Sequence, residues 1–119
     1  MLLVEDESLV RELTREILEI FGYKDLEAID PEDAIRISQS HQGPIHLLLT
    51  DVMMPKMDGP SLYSYISGSR PDMKALFMSG YTEHAIVHHG VLKPGVHFLQ
   101  KPFSAEAVAR KVRAVLDSP

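Results

Sequence analysis

Short, continuous apolar runs alternate along the chain with longer segments whose apolar residues recur at helical spacing. The clearest run is Ile45 followed by 47–49, which ends at Thr50 and Asp51. Such runs, bounded by polar residues, are typical of strands buried on both faces of a sheet. The pattern predicts strands at 2–4, 24–29, 45–49, 75–78 and 96–99.

The segments between these runs predict helices. The first helix is marked by apolar residues at helical spacing and ends before Gly22, a typical C-cap residue; the apolar positions are Leu9, Leu13, Ile17, Ile20 and Phe21. Further helices are predicted from Pro31 to about 40, near 62–66, at 83–91 and after Ser104. Strands alternating with helices in this way predict right-handed βαβ units and a parallel sheet with helices on both faces.

Composition narrows the class of protein. The chain has 119 residues, 45% hydrophobic, which is typical of one globular domain over 1–119. The absence of cysteine excludes disulfides, thiolate metal sites and a thiol nucleophile. No apolar run reaches the roughly 18 residues that span a bilayer, and a net charge of −5 argues against direct nucleic-acid binding. We therefore expect a cytoplasmic domain without membrane contact, although its parent chain could still be membrane-attached.

Polar residues follow four of the predicted strands. Glu5 and Asp6 end the first, Asp51 the third, Ser79 the fourth and Lys101 the fifth. Each alone is commonly a helix cap. Because sites in open parallel sheets lie outside the carboxyl ends of the strands, the five together predict a functional site at that edge.

The residue types indicate phosphoryl chemistry. Clustered carboxylates repel one another unless a cation relieves them, and oxygen ligands favour Mg²⁺, with Mn²⁺ as the alternative, over zinc. A carboxylate can also act as a nucleophile and form an acyl phosphate. Asp51 is the best candidate because the first and third strands are expected to be neighbours, while Lys101 and Ser79 would contact phosphoryl oxygens.

The chain resembles the receiver domain of two-component response regulators over essentially its whole length. The residues that carry the resemblance are Leu3-Val4-Glu5-Asp6-Glu7, Leu49-Thr50-Asp51-Val52-Met53-Met54-Pro55, Met57-Asp58-Gly59, Met78-Ser79-Gly80-Tyr81 and Lys101-Pro102-Phe103. The resemblance implies an α/β fold of the flavodoxin-like type, with a five-stranded parallel sheet in the order 2-1-3-4-5.

The resemblance also implies a set of metal ligands around the phosphoacceptor. Asp51 is similar to the phosphoacceptor of the family, Asp6 to a direct Mg²⁺ ligand, and Glu5 to the second acid, which often acts through water. The backbone carbonyl of Met53 corresponds to a further ligand.

The implied reaction is transfer of a phosphoryl group to Asp51 from a phosphohistidine on a histidine kinase or a histidine phosphotransfer protein. Ser79 and Lys101 would contact the phosphoryl group, Ser79 and Phe98 would form the switch, and the Lys101–Pro102 peptide bond is expected to be cis. Such a domain catalyses its own phosphorylation and dephosphorylation but is not a turnover enzyme. The bulky Met53 and Tyr81 beside the pocket are expected to slow hydrolysis.

Several alternatives stay open. The stretches 79–82 and 98–103 resemble the C-terminal receiver of bacterial hybrid sensor histidine kinases, and the tail 117–119 is similar to a linker. A stand-alone single-domain response regulator and a non-phosphorylated pseudo-receiver that acts as a docking module are the alternatives. An aspartyl phosphatase is disfavoured because Met53 stands where such enzymes carry a second acid. Phosphorylation-dependent dimerisation is also left open.

The histidines permit a second metal hypothesis. His84 and His88 lie four positions apart on a predicted helix, a spacing that can bind zinc. No third ligand is evident from the sequence nearby, so solvated surface histidines are the favoured interpretation.

Overall fold

Strands and helices alternate along the whole chain in a computed structural model that describes residues 1–119. The strands are β1 (Leu2–Val4), β2 (Leu26–Ala28), β3 (Leu47–Asp51), β4 (Lys74–Ser79) and β5 (Phe98–Gln100). The helices are α1 (Ser8–Ile20), α2 (Pro31–Ser40), α3 (Gly59–Ser67), α4 (Glu83–His88) and α5 (Ala105–Asp117). The predicted alternation of five strands and five helices is confirmed.

The five strands form one parallel sheet in the order β2-β1-β3-β4-β5. This is the predicted flavodoxin-like order. The register pairs Val4 with Thr50 and Asp51 with Met78, so the carboxyl ends of β1, β3 and β4 lie side by side. The sheet therefore brings the predicted strand-end residues to one edge.

Alternate residues of the central strands face opposite sides of the sheet and fill two separate cores. Leu47 and Leu49 of β3 pack with Val108 and Val112 of α5 in one core. Leu48, on the other side, packs with residues from α2 and α3 in the second core. All five residues of β3 are buried, which explains why this strand reads as a continuous apolar run.

Helix α1 has the predicted bounds but not the packing that its apolar pattern suggests. Of the five apolar positions that mark it, only Ile17 is buried, and it packs beside Thr14 and Leu18. Leu9 is 79% exposed and Ile20 is 77% exposed. The apolar stripe therefore continues from the core onto the surface of the molecule.

The other boundaries follow local chemistry. Gly22 adopts φ +87° and ends α1, where the amides of Gly22 and Tyr23 donate to the carbonyls of Glu19 and Leu18. The Asp30 side chain caps α2 by accepting from the amide of Asp33 at 2.8 Å. Helix α4 ends at His88, earlier than predicted, and the chain turns through Gly90 at φ +73°. No helix of the protein is both long and apolar enough to cross a lipid bilayer.

Candidate functional site

The carboxyl edge of the sheet brings together three of the predicted acids. Glu5, Asp6 and Asp51 each offer a carboxylate oxygen, and these three atoms lie within 4.8 Å of one another. Glu5 is fully buried and Asp51 is 6% exposed, whereas Asp6 faces solvent. The cluster therefore has a buried floor and one open side.

Lys101 lies between the two buried acids. Its Nζ is 2.7 Å from Glu5 Oε2 and 2.6 Å from Asp51 Oδ1. The ammonium reaches this position from the end of β5, at the far side of the sheet from β1. The peptide bond between Lys101 and Pro102 is cis, in agreement with the expectation from the sequence.

Two hydrogen bonds that were not predicted from the sequence hold Glu5 in place. The amide of Glu7 donates to Glu5 Oε1 at 3.2 Å, and Arg11 Nη1 donates to the backbone oxygen of Glu5 at 2.8 Å. Arg11 lies one helical turn into α1, and neither contact has a sequence signal beyond the position of Glu5 just before a helix. They fix the orientation of the buried carboxylate.

Gly59 has a structural role that the motif alone does not reveal. A Cβ at this position would lie 2.3 Å from the backbone oxygen of Asp51. The Gly59 amide also donates to the carbonyl of Val52 at 2.7 Å. The glycine lets the start of α3 pack directly on the backbone that carries Asp51. An Asp-Gly pair after a buried strand is the signal that could have pointed to this close approach.

The charges of the cluster are coupled. Burial and the adjacent Glu5 raise the pKa of Asp51 to about 8, although Lys101 opposes the shift. Burial alone would raise the pKa of Glu5, but hydrogen bonds with Asp51 and Lys101 outweigh it and leave that pKa below its ordinary value. Without a further cation, the two buried acids therefore share a single negative charge near neutral pH.

Ser79 reaches the same edge but is engaged elsewhere. It ends β4 next to the pair formed by Asp51 and Met78, and it is 7% exposed. Its Oγ accepts a hydrogen bond from the amide of Tyr81 at 3.0 Å. In this conformation the hydroxyl is held by the loop that leads to α4.

The remaining predicted residues lie at or near the ends of β3, β4 and β5. Met53 follows β3 and its side chain is 60% exposed; that of Tyr81 is 63% exposed. Phe98 begins β5 and is buried in a third apolar cluster with Val52, Phe77, Ile86 and Leu92. Phe98 thus contacts the interior between the sheet and α4 rather than solvent.

The donor atoms of the cluster suit a hard cation. All three side chains offer oxygen, with no imidazole or thiolate among the clustered ligands. Oxygen ligands of this kind are preferred by Mg²⁺, Ca²⁺ and Mn²⁺ over zinc. The residues present therefore fit the magnesium that the fold family implies.

Comparison with known proteins gives the family. The model of the response regulator receiver domain matches residues 1–113. The sensor kinase CckA of Brucella abortus (strain 2308) is 37% identical over 98% of this chain, which spans 12% of that kinase. The receiver protein CpdR of the same organism is 29% identical over 98% of this chain and 95% of its own length.

A solved structure gives the same result in three dimensions. The crystal structure of the receiver domain from the hybrid histidine kinase CckA matches with a TM-score of 0.81 at 37% identity, covering 98% of this chain and 97% of that one. The fold, the acidic edge and the sequence comparison agree. The chain belongs to the response regulator receiver domain family of two-component signalling.

Proposed function

We propose that Asp51 accepts a phosphoryl group from a phosphohistidine of a histidine kinase or a histidine phosphotransfer protein. A carboxylate oxygen of Asp51 forms the new bond to phosphorus as the phosphorus–nitrogen bond breaks, and the imidazole leaves and takes up a proton. The observation that carries the proposal is the ammonium of Lys101 held 2.6 Å from a buried carboxylate at the open edge of a parallel sheet.

Glu5, Asp6, Asp51 and the backbone carbonyl of Met53 would hold Mg²⁺, or Mn²⁺ in its place. The oxygen-only donor set of the three acids supports this assignment. When bound, the ion supplies positive charge beside the phosphoryl oxygens. Binding also requires Asp51 to give up its proton, because a protonated carboxyl is a poor ligand.

Lys101 and Ser79 would receive the oxygens of the transferred group. Lys101 already contacts Asp51, so its charge lies where the phosphoryl charge develops. The Ser79 hydroxyl would donate to a phosphoryl oxygen, whereas its Oγ now accepts from the amide of Tyr81. The protein's contribution is therefore position and charge rather than proton transfer.

The new contact of Ser79 would give a switch. Ser79 and Tyr81 lead directly into α4, whose Ile86 packs in one cluster with Phe98. A movement of Ser79 toward the phosphoryl group would alter the packing between α4 and β5 at Phe98. The surface of α4, β5 and α5 would then differ between the two states, and a partner would read the difference.

The partner surface that best supports phosphotransfer is the exposed side of α1. This helix begins just after Glu5 and Asp6, and Leu9 in its first turn is 79% exposed. Leu13, one turn further, is 52% exposed. Exposed aliphatic side chains next to a charged pocket fit an apolar partner surface that delivers a phosphohistidine to the edge of the sheet.

Residues 1–119 would form one receiver domain that belongs to a hybrid histidine kinase. The 37% identity to CckA supports this origin over a stand-alone regulator. A docking-only pseudo-receiver is disfavoured because Asp51, Lys101 and both metal-binding acids are present together.

The proposal is tested by intact-mass spectrometry after incubation with acetyl phosphate or phosphoramidate. The arms are the protein with Mg²⁺, the protein with a chelator, and the Asp51→Asn variant with Mg²⁺. We expect a mass increase of a single phosphoryl group in the first arm alone. Calorimetric titration with Mg²⁺ runs beside it as an independent readout of the acidic edge.

The contrary result is equally definite. A wild-type protein that gains no mass from either donor and binds no Mg²⁺ would be a docking module, and the proposed function would be wrong. A mass increase that persists in Asp51→Asn would place the acceptor at another residue.

A further inference from the structure

Helix α4 and its C-cap carry three neighbouring imidazoles that are not part of the acidic cluster. The rings of His84 and His88 are nearly parallel, with an interplanar angle of 14° and centroids 6.0 Å apart. The ring of His89 lies 5.4 Å from that of His88 at an angle of 75°. All three side chains are exposed, so their ring nitrogens are open to water.

The helix explains why two of these rings face each other. Residues four apart lie one above the other on the same helix face, and α4 includes both His84 and His88. Two histidines at this spacing are a known arrangement for holding one metal ion on a helix. A chelate would require the side chains to rotate so that one nitrogen of each ring faces the same ion.

We propose that His84 and His88 chelate a divalent transition-metal ion of the type that prefers imidazole, such as Zn²⁺, Ni²⁺ or Cu²⁺. Water completes the coordination sphere. The chemistry separates this site from the acidic edge, because imidazole selects these ions while carboxylate oxygens select Mg²⁺. His89 is the neighbour of His88 at the helix end and contributes to the local field rather than to the chelating pair.

The consequence would be a stabilised α4. A helix of six residues is too short to persist alone, and α4 depends on the Thr82 cap, which accepts from the amide of Ala85 at 3.2 Å, and on the burial of Ile86. A chelate across one turn adds a third constraint. Because Ile86 packs in the cluster of Phe98, the ion would act on the element that contacts the proposed switch.

The competing interpretation is three solvated histidines with no common ligand, and a metal titration distinguishes the two. Zn²⁺ is titrated calorimetrically into the protein in the presence of excess Mg²⁺, added to compete for the acidic edge. The test variants are His84→Gln and His88→Gln. The matched control is His46→Gln, because His46 is also exposed but precedes β3, at the opposite edge of the sheet.

We expect one Zn²⁺ to bind per chain and each test variant to lose about tenfold or more in affinity, since one of only two protein ligands is gone. His46→Gln should bind as the wild type does, and His89→Gln should change the affinity less than His84→Gln. Equal binding by wild type, His84→Gln and His88→Gln would overturn the proposal. A loss in His89→Gln with full binding by His84→Gln would overturn the assignment of the chelating pair.

A second readout does not depend on affinity. Amide exchange of residues 84–89 should slow on adding Zn²⁺ in the wild type and not in His84→Gln. Unchanged exchange in the wild type at saturating Zn²⁺ would contradict a chelate across the helix turn. Neither readout uses phosphorylation, so failure here leaves the proposed function to its own test.

Discussion

Two cations at opposite edges of the sheet have different kinds of partner. Lys101, at the carboxyl edge, lies between the buried carboxylates of Glu5 and Asp51. Arg70, in the loop before β4, donates instead to neutral oxygens near the end of α2: the Ser38 hydroxyl and the carbonyls of Ser38, His41 and Gly43.

The difference separates structural from functional charge. The carbonyls around Arg70 are dipoles at a helix end, and one guanidinium satisfies them by hydrogen bonds, so that no further ligand is needed there. At the other edge three acids face one lysine, so deprotonation of Asp51 leaves an excess of negative charge that a further cation would neutralise. A cluster that is incomplete without a ligand is the mark of the functional edge.

The largest expected effect is the loss of Lys101. Lys101→Ala should slow phosphorylation from a small-molecule donor by about 100-fold or more, the typical cost of removing a group that stabilises developing charge. The time course of the mass increase measures it. Phosphorylation at the wild-type rate would contradict the role of the ammonium.

Arg70→Ala should give the opposite profile. Loss of four hydrogen bonds from one charged group should lower the free energy of unfolding by about 2 kcal/mol, measured by urea denaturation. The rate of phosphorylation should stay near that of the wild type, since Arg70 lies at the other edge. A large fall in rate with unchanged stability would break the comparison between the two edges.

Gly59 packs against the backbone that carries Asp51. Gly59→Ala should destabilise the protein by about 1–3 kcal/mol, because its Cβ would lie 2.3 Å from backbone that cannot yield as a side chain does. Gly68→Ala is the matched control, since Gly68 has helical φ and its nearest contact is an ordinary 3.4 Å. Equal effects of the two substitutions in thermal denaturation would contradict the argument.

Asp51→Asn should stabilise the metal-free protein, and increasingly so as pH rises. The pKa of Asp51 is raised from an ordinary 3.8 to about 8 in the folded protein. Between about pH 4 and pH 8 the folded protein therefore keeps a proton that the unfolded chain releases, and the wild type loses stability as pH rises. The advantage of the variant should grow by up to about 1.4 kcal/mol per pH unit in that window. Urea denaturation at pH 5.5 and 7.5 with a chelator measures it, and an unchanged difference would contradict the shift.

The smallest effect is expected at the rim of the pocket. Met53→Ala and Tyr81→Ala should each speed hydrolysis of the phosphorylated protein several-fold, because both exposed side chains are expected to screen the pocket from attacking water. Decay of the phosphorylated mass after removal of the donor gives the rate. Slower or unchanged decay in both variants would rule out this screening.

The strands were predictable from the apolar runs, whereas their order was implied by the resemblance to the receiver family. Continuous apolar runs mark strands with two buried faces, and the polar residue after each run falls at the common edge. The sequence did not predict which side of α1 packs on the sheet. Thr14 is buried and Leu9 is exposed there, so apolar spacing gives the helix but not its orientation.

For the site, too, the sequence predicted the residues but not their contacts. The residue types at the strand ends indicated the acids and the lysine, but not that Lys101 bridges Glu5 and Asp51. Contacts made by backbone atoms could not be predicted from residue types. Examples are the amide of Glu7, which donates to Glu5, and the close approach of Gly59 to the backbone of Asp51. The stacking of His84 on His88 also depends on the rotamers within α4 and not on spacing alone.

We propose that the buried carboxylate of Asp51, and not a neighbouring acid, carries the phosphoryl group. The most direct measurement is reduction of the phosphorylated protein with borohydride, which converts an acyl phosphate to an alcohol, followed by peptide mass spectrometry. We expect a homoserine at position 51 alone. Reduction at Glu5 or Asp6 with position 51 intact would contradict it.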